Sequence, residues 1–125
     1  MKRLDTFAAP FLGTPFKLKA REKDCFDCYG LLVHVLAAAG LLDNPETSDV
    51  ERIRHLFAPV RVGEIQPGDV VIMDCGGSAG ETTHVTIKGV GSRYWSAERK
   101  IGVAQVSVGK RRIKSAYRLR EGVGC

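Results

Sequence analysis

The stretch Asp24-Cys25-Phe26-Asp27-Cys28-Tyr29-Gly30-Leu31-Leu32-Val33-His34-Val35-Leu36-Ala37-Ala38-Ala39-Gly40 decides the fold. Residues 27–40 of it read as a helix. With Cys28 at zero and steps of about 100 degrees per residue, Leu32, Val35, Leu36 and Ala39 fall within about 80 degrees of it, and Leu31 takes the opposite flank. That is one continuous apolar face, with Cys28 in the first turn. Asp24 or Asp27 can cap the start, and Gly40 stops the helix. His34 falls about 240 degrees from Cys28. It reads as a surface histidine and not as a partner for the thiol.

Upstream, residues 1–23 read as an irregular arm, punctuated by Pro10, Gly13 and Pro15. Downstream, residues 43–48 are a loop, and Ser48 or Asp49 can cap a short helix to about Phe57. His55 reads as exposed on that helix. Gln66-Pro67-Gly68-Asp69 is a turn that feeds a strand at Val70–Asp74. A glycine-rich loop runs from Cys75 to Gly80. Strands follow near Thr83–Gly89, Arg93–Ala97, Val103–Val108 and Ile113–Leu119. Helices come first and antiparallel strands follow, which is the α+β pattern. At 125 residues, 44% of them hydrophobic, the chain can build one core and not two, so residues 1–125 read as a single domain.

A thiol nucleophile has to be a thiolate at neutral pH, and an ordinary cysteine mostly is not. A helix N-terminus supplies unpaired N–H groups and partial positive charge. A histidine supplies a proton acceptor. Cys28 has the first, and Gly30 leaves room there for another backbone or a substrate. Thr83-His84-Val85-Thr86-Ile87 has the second. Alternation places His84, Thr86 and Lys88 on one strand face and Val85 and Ile87 on the other.

These residues resemble a family. Asp27-Cys28-Tyr29-Gly30-Leu31-Leu32 is similar to the Asp-Cys-x-Gly-Leu-Val nucleophile motif of NlpC/P60 peptidases. Ile65-Gln66-Pro67-Gly68-Asp69-Val70 resembles the family's Leu-x-Pro-Gly-Asp-Leu. Thr83-His84-Val85-Thr86-Ile87 resembles its histidine strand, Gly-His-Val-Gly-Ile, and Gly13-Thr14-Pro15-Phe16 its lead-in, Gly-x-Pro-Tyr. The resemblance implies a papain-like fold, with N-terminal helices packed on a small antiparallel sheet. It implies a cysteine peptidase or amidase acting on peptidoglycan stem peptides through a thioester. Cys28 would attack the carbonyl and His84 would be its base. Asp27, Tyr29 and Trp95 stand where they can form the oxyanion or substrate surroundings, and core packing is an equal reading for Trp95. No cofactor is implied.

One departure matters. The family usually places His, Asn or Gln after the base to orient the imidazole, and here Ser96 stands at that position. Serine can accept the imidazole hydrogen bond but reaches less far. Glu98, of the same strand parity, is a second candidate, and a backbone carbonyl a third. The departure leaves open a weak or inactive relative, kept as a structural or binding component of a tail or other assembly.

Other readings fit less well. Cys25, Cys28, Cys75 and His84 could make a zinc site, but a structural site normally pairs two close doublets. The net charge of +5 suits acidic partners, yet it is modest for a nucleic-acid binder and no aromatic strand motif accompanies it. The N-terminus carries an early Asp5 and only a short apolar stretch from Phe7 to Leu12, which does not match a signal peptide. No apolar run approaches the roughly 18 residues of a membrane span. The expectation is synthesis in the cytoplasm without a signal peptide and no membrane partner. Tyr29 in the nucleophile motif, with the short chain, resembles the bacteriophage tail-associated branch, which implies tail proteins as partners and the virion as the carrier.

Overall fold

The computed structural model describes residues 3–15, 21–22, 25–26, 28–43, 50–74, 83–98, 100–109 and 112–120. The apolar run forms helix α1, Cys28–Ala38. It ends at Gly40, whose φ of 79° is left-handed, with Gly40 N–H bonded to the Ala37 carbonyl at 3.0 Å and Leu41 N–H to the Leu36 carbonyl at 2.9 Å. That pair of bonds is a Schellman cap, and glycine adopts its backbone without a Cβ penalty.

The helix is buried more widely than one face. Gly30, Leu31, Leu32, Val33, Val35 and Leu36 are all buried. The cover comes from the N-terminal arm. Where an irregular segment is expected, Leu4–Phe7 and Ala9–Phe11 form two short 3-10 helices, and Leu4 and Ala8 are fully buried in the core with α1. A helix apolar on most sides needs cover on more than one. His34 is accordingly half-buried rather than on the surface. Its ring meets the edge of Phe11 at 5.9 Å between centroids, with the planes 70° apart.

Before α1, the two-residue strands β1 (Arg21–Glu22) and β2 (Cys25–Phe26) pair antiparallel. After it comes α2, Val50–Arg54. This is shorter than the sequence suggests, because Phe57–Val60 turns into strand β3. The remaining strands lie where alternation places them: β4 Val70–Asp74, β5 Thr83–Lys88, β6 Tyr94–Glu98, β7 Gly102–Val106 and β8 Arg112–Leu119. They form a sheet of order β3-β8-β4-β5-β6-β7, antiparallel throughout. β3 sits at the edge, the place where a strand tolerates a proline such as Pro59.

Alternation gives the sheet two faces. Val70, Ile87, Trp95, Ala97 and Val103 join the core that contains α1. Val71, Met73, Tyr94 and Ala116 form a second cluster. Gln66–Asp69 makes the expected turn. Asp69 N–H bonds to the Gln66 carbonyl at 3.1 Å, and Gly68 takes φ 97°, the left-handed position of a type II turn with Pro67 before it. Asp69 is 2% exposed and receives two hydrogen bonds of 2.9 Å from Arg118, through Nε and a terminal nitrogen. This forked pair ties the turn to β8.

Candidate active site

Cys28 is the first residue of α1, half-buried, and a thiol rather than half of a disulfide. In the first turn, helix N–H groups lack intrahelical partners, and the helix dipole adds partial positive charge, which favours a thiolate. α1 packs against β5 and β6, the two strands that carry the remaining polar candidates.

His84 is the second residue of β5 and faces Met73 across the β4–β5 ladder. The β5–β6 ladder pairs Ile87 with Trp95 and Lys88 with Tyr94. Lys88 shares parity with His84 on β5, and Tyr94 with Ser96 and Glu98 on β6. Alternation then brings His84, Ser96 and Glu98 to one face. There the His84 Nε2 lies 2.5 Å from Ser96 Oγ, Ser96 Oγ donates to Glu98 Oε2 in a short hydrogen bond, and Glu98 Oε2 is 3.3 Å from His84 Nε2. Ser96 is fully buried, while the side chains of His84 and Glu98 are 13% and 18% exposed.

The hydroxyl has one proton to donate and lone pairs to accept with. Its proton goes to the carboxylate, so it accepts from His84. That arrangement is compatible with a ring that carries its hydrogen on Nε2, which would leave Nδ1 as the basic nitrogen. A ring held this way can take a proton at Nδ1 and leave as an imidazolium facing a carboxylate.

The other sequence candidates are distributed as follows. Tyr29 is half-buried and lines a cleft of about 470 Å³ between α1, α2 and the sheet, with Leu32, Phe57 and Val85 as apolar walls and Arg54 and Lys114 as cations. The cleft is lined by Tyr29 and Val85, the chain neighbours of Cys28 and His84, and Val85 and His84 take opposite faces of β5. Trp95 is 7% exposed and belongs to the core with α1, so of its two readings the core placement is the one observed. Asp27 lies outside the described residues, as do Cys75 and the side chain of Cys25, so the zinc alternative falls largely there too. His55 is exposed, as expected.

The NlpC/P60 family profile matches residues 13–119. The chain belongs to the NlpC/P60 family. Solved structures of NlpC/P60 proteins share its fold. The NlpC/p60 domain of the peptidoglycan hydrolase SagA has 24% identity and a TM-score of 0.69, over 94% of this chain and 97% of that one. A protein described as similar to lipoprotein, NLP/P60 family, from Staphylococcus aureus has 23% identity and a TM-score of 0.69, over 96% of this chain and 41% of that one. NlpC1 from Trichomonas vaginalis has 18% identity and a TM-score of 0.74, over 94% and 43%. The chain spans less than half the length of the last two. No curated protein sequence matches it significantly.

Beside His84, Ser96 and Glu98 stand in one chain of hydrogen bonds. Sequence reading offers Ser96 and Glu98 as alternatives, and the structure has both engaged. The signal was their spacing of two on one strand, which puts both side chains on the same face.

Proposed function

We propose that this NlpC/P60 domain is a cysteine peptidase or amidase that hydrolyses an amide bond in peptidoglycan stem peptides. The reading is supported above all by the part-buried His84–Ser96–Glu98 chain of hydrogen bonds, in a family domain whose α1 begins at Cys28.

In this reading the Cys28 thiol proton passes to Nδ1 of His84 and the sulfur attacks the amide carbonyl. Backbone N–H groups at the start of α1 hold the oxyanion. The C–N bond breaks as His84 returns its proton to the leaving amine, and an acyl thioester remains on Cys28. Water then attacks the thioester while His84 accepts its proton. The C–S bond breaks, the carboxylic acid leaves, and the proton goes back to the thiolate. The cleft beside Tyr29 receives the acyl part of the peptide, with its apolar walls taking aliphatic groups and Arg54 and Lys114 attracting carboxylates. Delivery by a phage tail belongs to the same proposal. It rests on the resemblance around Tyr29, and immunodetection on purified virions tests it.

The direct test is incubation of purified stem peptides with wild type and Cys28→Ala, followed by mass spectrometry. A new amine and a new carboxylic acid with wild type alone support the reading. No product with wild type, or equal product with Cys28→Ala, contradicts it.

A further inference from the structure

We infer that Glu98 is a positioning residue that works through Ser96 to hold His84 in the tautomer able to accept the thiol proton. The inference rests on the reading of His84 as the base for Cys28.

Serine alone is an ambiguous partner for an imidazole. Its hydroxyl can accept from Nε2–H or donate to a bare Nε2. The second arrangement places the ring hydrogen on Nδ1, where it blocks acceptance of a proton. What decides between them is the next group along. An ionised carboxylate can only accept, and Glu98 Oε2 accepts from Ser96 Oγ. The proton of that hydrogen bond is the serine's own. The hydroxyl is thereby committed to the carboxylate, its lone pair is left for His84, and Nε2 keeps its hydrogen. The carboxylate has a second effect. When His84 becomes an imidazolium, Glu98 stands 3.3 Å away, in surroundings where Ser96 is fully buried and water screens little.

Described charges on the neighbouring strands have partners of their own. On β4 the opposite residue is the uncharged Met73, and Asp74 beside it pairs with Arg112 at 3.4 Å. Further along β5, the Lys88 ammonium donates to the Gly89 carbonyl at 2.8 Å and lies over the Tyr94 ring, 5.2 Å from its centre. On α1, the titratable group in question is Cys28 itself. The short reach of serine is thus made up by a carboxylate two residues on, and the pair replaces a single longer side chain.

The test labels the histidine rings with nitrogen-15 and reads the His84 tautomer by NMR in wild type, Glu98→Ala, Glu98→Gln and Ser96→Ala. Alkylation of Cys28 by iodoacetamide at pH 6 is measured on the same proteins. Wild type should show Nε2–H. Glu98→Ala should shift the ring towards Nδ1–H and slow Cys28 about tenfold or more. Glu98→Gln, which keeps an acceptor oxygen and nearly the same shape, should keep the tautomer with a smaller loss of rate. It also carries the test if the alanine variant does not fold. A purely structural role would lower the melting temperature and leave the tautomer alone. An unchanged tautomer and an unchanged Cys28 rate in Glu98→Ala overturn the inference. If Cys28 is no faster in wild type than in His84→Ala, it is the peptidase reading that fails, and the His84 tautomer still judges the role of Glu98.

Discussion

Ser96 Oγ lies 2.5 Å from His84 Nε2, diagonally across two neighbouring strands and wholly out of solvent. A neutral hydrogen bond in that position orients a ring more than it stabilises a fold. Ser96→Ala should therefore leave the melting temperature within a few degrees of wild type. It should slow peptide hydrolysis by about ten- to a hundredfold through kcat, with KM little changed. A rise in KM at constant kcat would show instead that Ser96 serves substrate binding.

Gly68 joins the turn before β4 to the N-terminal arm. A Cβ there would lie 3.2 Å from Arg3 Cα and 3.2 Å from Leu4 N, and the residue has φ 97°. Backbone atoms cannot swing aside, so Gly68→Ala should cost about 1–3 kcal/mol in urea denaturation. An unchanged midpoint would mean that the arm does not hold its place against the turn.

The Asp69–Arg118 pair should respond asymmetrically. Asp69 is almost fully buried, with a side-chain exposure of 3%, whereas Arg118 keeps 30%. Hydrogen bonding to Asp69 raises the Arg118 guanidinium above its ordinary value, so it stays charged at any working pH. Arg118→Ala strands a carboxylate in the interior and should cost about 3 kcal/mol. Asp69→Asn leaves a guanidinium that can turn to water, and should cost less. Equal losses would contradict the burial difference.

Burial pushes the Tyr94 phenol above the ordinary tyrosine value of 10.0. The folded protein keeps the phenol neutral at a pH where the unfolded chain has begun to ionise it. Its contribution to stability is therefore complete below about pH 10 and is lost as pH rises through the folded value. Urea midpoints of wild type and Tyr94→Phe, compared between pH 8 and 11, should run parallel at first and then diverge, with the phenylalanine variant losing less. Parallel curves throughout would contradict it.

Much of this arrangement is legible in the residues. Strands β4 to β8 announce themselves by alternation between turn residues, and α1 by its apolar run and Gly40. The edge strand β3 does not, because Pro59 argues against a strand until the sheet order shows that it lies at an edge. The two 3-10 helices at residues 4–11 are too short for a periodic pattern, so the burial of Leu4 and Ala8 and the contact of Phe11 with His34 are properties of the packed molecule. Parity and spacing bring Ser96 and Glu98 forward as candidates for one role. That both join one chain of hydrogen bonds with His84 depends on the splay of two side chains on one strand, which spacing alone does not encode.

The central claim is that Cys28 and His84 form a thiolate–imidazole pair, and the alkylation rate of each cysteine by iodoacetamide between pH 5 and 8 tests it without a substrate. Mapped by peptide mass in wild type and His84→Ala, Cys28 alone should react fast near pH 6 and should lose that advantage without His84. If Cys28 reacts no faster than Cys125, or equally fast in His84→Ala, the pair does not exist and the domain serves binding or assembly instead.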